Sequence, residues 1–99
     1  MTNPDDLNFV ELYEKANRHF QICIGDEENA FLQDDVEVRL EEIRTKDGSV
    51  RVEFVGHDKK NFQIETKIWL LADEDQNIGY YSLVEDKEGN LIDDFLVFD

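Results

Sequence analysis

Between residues 9 and 24 the apolar side chains recur with a helical period. Leu12, Tyr13, Ala16, Phe20, Cys23 and Ile24 fall on one stripe, with Phe9 one turn earlier. Such a stripe reads as an amphipathic helix that must lie against something. Asn3 is a candidate cap, Pro4 suits a first helical position, and Asp5 and Asp6 sit where the helix dipole is positive. Gly25 stands where a helix would stop. The spacing predicts a helix from about residue 4 to 24.

After an acidic stretch at 26–35, DEENAFLQDD, the period changes to two. Val36, Val38 and Leu40 alternate with Glu37, Arg39 and Glu41; Val50, Val52 and Phe54 alternate with Arg51 and Glu53. Phe62, Ile64, Thr66, Ile68 and Leu70 do the same with Gln63, Glu65 and Lys67, and two further runs follow at 78–85 and 91–98. The connectors are Asp47-Gly48, GHDKKN, DEDQN and DKEGN, all too short for parallel crossovers. The expected architecture is therefore α+β: one long N-terminal helix packed on a five-stranded antiparallel meander, in a single domain over 1–99. Asp47-Gly48 favours a two-residue type I′ turn setting Ile43 opposite Val52. Leu40 and Ile43 are out of phase, so a bulge at Glu41-Glu42 is expected to bring Leu40 opposite Phe54.

In element order, a long helix laid across one face of a curved meander resembles the cystatin-like and NTF2-like group of α+β folds. The segment AFLQDDVEVRL is similar to NTF2-like chains, in which a short acidic stretch precedes the first strand. Full members carry two or three helices before the sheet, where this chain has room for one. Folds of this group host enzymes, inhibitors and binding modules alike, so the resemblance does not choose a function.

Charge narrows the classes. Twenty-five acidic residues against ten basic ones give a formal charge of −15, which disfavours direct binding to nucleic acid or to anionic membrane. With no apolar run near ~18 residues and no charged-then-apolar leader, a cytoplasmic protein is expected. Cys23 is the only cysteine, so no intramolecular disulfide can form.

Candidate chemistry is sparse. DEDQNIG, from Asp73 to Gly79, puts oxygen-bearing Asp73, Asp75 and Asn77 at alternate positions. An EF-hand loop needs glycine at position 6 and glutamate at 12, and here Gly79 and Glu85 each fall one place late, between strands rather than helices. A solvated hairpin loop is the expectation. His19, His57 and Cys23 lack the close spacing of zinc ligands, and Cys23 on an apolar stripe reads as a small core residue. Asp93-Asp94, inside an apolar run, must send one carboxylate to each face of the sheet. The DKEGN turn is assigned no chemistry. No catalytic, cofactor-binding or metal-ligating residue is assigned.

The sharper signal is a lapse in alternation. If Ile64, Ile68 and Leu70 face the helix, Val55, Trp69 and Leu71 point the other way. Pairing Ala72 with Ile78 would set Trp69 opposite Tyr81 and Lys67 opposite Leu83. Val55, Trp69, Leu71, Tyr81 and Leu83 are thus the candidate partner-binding residues, unless Ala30, Phe31 and Leu32 of the 26–35 stretch cover them. The expected function is a non-catalytic acidic protein-binding module (an inhibitor, immunity-type partner or accessory subunit) working through the uncovered sheet face. Its partner would be a basic protein, or a second copy in a homodimer. The alternatives are a nucleic-acid mimic filling a basic cleft, and a small NTF2-like enzyme or ligand-binding protein.

Overall fold

Asn8 caps the helix. In the computed structural model, which describes residues 7–36, 39–57 and 61–99, α1 runs Phe9–Gly25, and Asn8 Oδ1 accepts from the Glu11 N–H at 3.3 Å. The predicted cap at Asn3 and Pro4 lies outside the described residues. Ala16 and Phe20 form the buried stripe as expected, but Phe9 is exposed and leaves it. The small side chain of Ala16 lets the helix approach the sheet closely. Asp26 ends α1 in an extended conformation and its carboxylate accepts from the Glu28 N–H at 2.9 Å, starting a 3₁₀ helix at Glu27–Asp35.

The sheet has four strands, not five. β1 (Arg44–Phe54), β2 (Phe62–Leu71), β3 (Asn77–Asp86) and β4 (Leu91–Phe98) form an antiparallel meander in sequence order. The expected first strand is absent as far as it is described: Leu40–Glu42 is a 3₁₀ turn, and Val36 is extended but outside the sheet. Leu40 and Ile43 are buried in the core nonetheless. They meet it from a turn, so the expected pairings of Leu40 with Phe54 and Ile43 with Val52 do not occur; Phe54 pairs with Phe62 and Val52 with Ile64.

The missing strand traces to Asp47-Gly48. A type I′ turn needs positive φ at both central residues, and neither Asp47 nor Gly48 has it. The chain instead runs straight through, with a bulge between Asp47 and Ser49. Gly48 is needed there for space: a Cβ would lie 2.6 Å from the Lys67 carbonyl oxygen.

A type I′ geometry does occur, at DEDQNIG. Glu74 and Asp75 have φ of 61° and 59°, the Gln76 N–H donates to the Asp73 carbonyl, and the Ala72 N–H to the Gln76 carbonyl. This is a two-residue hairpin joining β2 to β3, built from Glu74, which resists left-handed backbone at about 1–2 kcal/mol, and Asp75, which tolerates it better. Glu74→Asn should therefore stabilise the protein by about 1 kcal/mol, seen as a higher urea midpoint with unchanged slope. An unchanged or lower midpoint would argue against the turn. The oxygens of the motif are otherwise engaged: Asp75 Oδ1 pairs with Arg44 at 3.0 Å, and Asn77 Oδ1 accepts from the Gly79 N–H at 2.9 Å.

The core lies between α1 and the middle of the sheet. Ile68 and Leu70 of β2, Tyr81 and Leu83 of β3, Ala16 and Phe20 of α1, and Leu40 and Ile43 make one buried cluster. Leu32 and Val36 pack on its margin, so the 26–35 stretch sends its ordered apolar contact to the helix side; Ala30 and Phe31 stay exposed. Thr45 of β1 donates its hydroxyl to Asn17 Oδ1, tying the helix to the edge of the sheet.

Candidate functional site

Register decides which side chains share the second face. β2 and β3 pair Trp69 with Tyr80 and Lys67 with Ser82, one residue away from the expected register. The reason is the tight turn at Glu74-Asp75 and the bulge between Leu70 and Leu71, which together shift β3 by one place. A shift of one exchanges the faces of β3. Tyr81 and Leu83 are consequently core residues, fully buried under α1, and not part of an interaction surface.

The remaining candidates separate. Trp69 and Leu71 are half-buried on the open face at one end of the sheet. Val55 is exposed just past the other end of β1, beside Asn61. From Gln63 to Trp69 the strand advances roughly 20 Å, so Val55 and Trp69 do not form one patch.

What the open face does gather is an aromatic and cationic cluster. Trp69 meets Tyr80 edge to face, centroids 6.3 Å apart. Lys67 Nζ lies 4.5 Å from the Tyr80 ring centre and 5.6 Å from that of Trp69. Its charge faces two π systems, an arrangement worth about 0.5–1 kcal/mol where partly solvated. The Trp69 indole also covers Gly48, its Nε1 lying 3.2 Å from where a Cβ would be. The cross-strand aromatic thus shields the glycine that the bulge requires.

Beside the cluster runs a shallow groove of about 270 Å³, lined by Arg51, Glu53, Glu65, Val84, Ile92 and Phe95 among others. Ile92 and Phe95 are about half exposed at its lip. Sequence reasoning missed Tyr80, Val84, Ile92 and Phe95. For Tyr80 and Val84 the cause was the register; for Phe95 the signal was available, since it alternates with Asp94 and Leu96.

Charge on this face differs from the rest of the molecule. By register it carries Arg44, Lys46, Arg51 and Lys67, and against them Glu53, Glu65 and Asp93, while Asp86 at its edge turns its carboxylate into the β3–β4 turn. Four cations against three carboxylates leave this face close to neutral, on a chain whose formal charge is −15. The Arg51–Glu65 pair closes at 2.6 Å, the arginine largely in solvent and the glutamate mostly covered. The open face is therefore a near-neutral, aromatic island, and among the described residues the excess carboxylates lie on the helix side, the 3₁₀ segments and the turns.

Other sequence candidates resolve as follows. Asp93 and Asp94 do point to opposite faces, and both are exposed; Asp94 Oδ2 accepts from the Tyr81 hydroxyl at 2.8 Å. Cys23 is half-buried, and burial, with the charges of Asp94 and Asp26, pushes its thiol up, away from the thiolate that nucleophilic chemistry requires. Among the described residues no group of histidine, cysteine and carboxylates is placed to hold a metal ion. No helix among them is long and apolar enough to cross a membrane.

The chain matches no protein-family model, no curated protein and no solved structure.

Proposed function

We propose that the protein is a non-catalytic binding module whose open sheet face docks a basic protein partner. The observation that carries this reading is the near-neutral aromatic island, Trp69–Tyr80–Lys67 with the Phe95 groove beside it, within a strongly acidic surface. Interface cores are depleted in charge and enriched in aromatic side chains, and Trp and Tyr are their commonest anchors. An acidic surround steers a basic partner toward such a patch and repels anionic competitors. The same surround opposes a homodimer through this face, because two copies would each bring their −15 charge into contact.

Nucleic-acid mimicry through this face is disfavoured by its charge balance, since a mimic needs unneutralised carboxylates where phosphates would lie.

The test uses two exposed apolar residues on opposite sides. Phe95 is at the open face and Ile22 is exposed on α1. Affinity capture from lysate of the source organism, at moderate salt, is expected to retain a basic protein. Phe95→Glu should reduce that retention at least tenfold, the ~1.4 kcal/mol of a modest anchor; Ile22→Glu should leave it intact. Circular dichroism checks that both variants remain folded. Loss through Ile22→Glu with Phe95→Glu still binding would move the surface to the helix and end this reading.

A further inference from the structure

On the helix side of the sheet, away from the open face, one carboxylate is left incompletely paired. Glu85 follows Tyr81 and Leu83 on the core-facing phase of β3 and is 4% exposed. Its Oε2 accepts from Lys15 Nζ at 2.9 Å, and Lys15 also donates to the Gly89 carbonyl at 2.5 Å. Its Oε1 is buried as well and accepts from nothing. A buried acceptor without a donor is destabilising, more so when charged, so such an atom is normally matched to something.

The ion pair lies at a cleft of about 240 Å³ between the first turns of α1 and the β3–β4 turn. Leu12 and Ile64 give it apolar walls, and Glu11 and Asp86 an acidic rim. The Asp86 carboxylate is already engaged in the turn: Oδ1 accepts from the Glu88 and Asn90 N–H groups at 2.8 and 2.9 Å. These bonds hold its pKa below the ordinary value, Asn90 contributing most. The turn is therefore fixed, and it holds the Gly89 carbonyl against Lys15. Among the described residues that line it, Glu11, Glu85 and Asp86 face one cation, Lys15, so the cleft favours a positive ligand over a neutral or negative one.

We propose that this cleft binds an alkylammonium group, which donates to Glu85 Oε1 while its aliphatic arm lies along Leu12 and Ile64. Glu85 then bridges two ammonium groups, Lys15 on Oε2 and the ligand on Oε1, with the Glu11 carboxylate offsetting the added charge. Lys15 is the adjustable part, because its side chain is partly solvent-exposed and can swing to admit the ligand. The chemistry is shared by small free amines and by a lysine side chain of another protein. It is independent of the open sheet face.

Two-dimensional amide NMR at fixed ionic strength tests it, with n-butylamine hydrochloride as probe and n-butanol and sodium butyrate as controls. Butylamine is expected to shift Leu12, Lys15, Glu85 and Gly89 saturably, and the two controls are not. Glu85→Gln, which keeps the shape and removes the charge, should weaken binding at least tenfold. Glu11→Gln, on the exposed rim where it does not threaten folding, should weaken it about twofold to fivefold. Nα-acetyl-lysine methylamide distinguishes the sources: binding tighter than butylamine at the same residues assigns the site to a lysine of a partner, weaker binding to a free amine. Shifts scattered over the acidic surface, equal shifts with butanol, or shifts unchanged in both variants would overturn the proposal and leave Lys15–Glu85 as a structural clamp holding a water.

Discussion

Gly79→Ala will unfold most of the protein or come close to it. Gly79 is buried in β3 with φ of +151°, and a Cβ there would lie 2.0 Å from the Val97 carbonyl oxygen and 3.0 Å from Phe98 Cα. The atoms in the way are backbone, so no rotamer change relieves the overlap. The ladder explains the crowding: the Asp99 N–H donates to the Ile78 carbonyl, which makes Gly79–Phe98 a non-hydrogen-bonded pair, the closer of the two antiparallel arrangements. The expected loss is about 4 kcal/mol or more, a large part of the stability of a domain this size. Two other glycines calibrate it. Gly56 has φ of +70° but open space around it, so alanine there should cost only the backbone strain of about 1 kcal/mol. Gly25, at the end of α1, has neither positive φ nor a neighbour within 4 Å, and alanine there should be neutral or gain about 0.5 kcal/mol. Urea midpoints should follow the order Gly79→Ala, Gly56→Ala, wild type, Gly25→Ala. A Gly79→Ala midpoint no lower than that of Gly56→Ala would mean that β3 and β4 are not in this register.

The helix and the last four strand segments were legible because each rests on a long periodic signal with nothing competing. The failures share a cause. Asp-Gly is among the favoured type I′ dipeptides and so predicts a turn at Asp47-Gly48; glycine is also what a bulge against a neighbouring carbonyl requires, and the dipeptide does not distinguish the two. Removing that turn joins its flanks into one β1 and leaves Leu40–Glu42 outside the sheet as a cap on the core. The actual type I′ turn uses Glu74-Asp75, inside the DEDQN connector that composition marks as a loop but without the Asn-Gly or Asp-Gly pair that would name the turn type. Chain closure there overrides local preference at a cost of about 1–2 kcal/mol at Glu74.

Site legibility followed from the same turn. Trp69 and Leu71 were placed on the open face by alternation within β2 alone, and they are there. Tyr81 and Leu83 depended on the β2–β3 register, which rests on how many residues the turn consumes; one residue of error moved them from the core to the surface. Glu85 illustrates the opposite loss. It lies in phase with Tyr81 and Leu83 on β3, and once that phase is known to face the helix, an acid at the third position must be buried and paired. Its partner Lys15 lies seventy residues away, which no local pattern reveals.

Tyr81 should make the protein sensitive to alkali, and Tyr81→Phe should remove that sensitivity. Its ring is fully buried and packs on Phe20 at 5.7 Å, while its hydroxyl donates to Asp94 Oδ2 at 2.8 Å. Burial first, then the hydrogen bond and negative charge of Asp94, push its pKa far above the ordinary 10. The folded state therefore keeps this proton where the unfolded chain would release it. Stability is fully present below pH 10 and falls above it, with a slope approaching about 1.4 kcal/mol per pH unit. Tyr13, raised by burial and then by Asp47, adds in the same direction, and lysine titration and general repulsion act on wild type and variant alike. The difference between them isolates Tyr81. Tyr81→Phe should lose about 1 kcal/mol at pH 7, one hydrogen bond to a solvated acceptor, yet decline less steeply with pH, so that the two stability curves cross near pH 11. Tyr81→Ala tests the packing instead and should lose about 3–5 kcal/mol at any pH, the usual result of deleting a buried aromatic ring. Urea titrations at several values between pH 7 and 11.5 supply all three curves. A Tyr81→Phe curve parallel to wild type across that range would mean that the phenol is free to ionise in the folded protein, and that neither its burial nor its bond to Asp94 is as described.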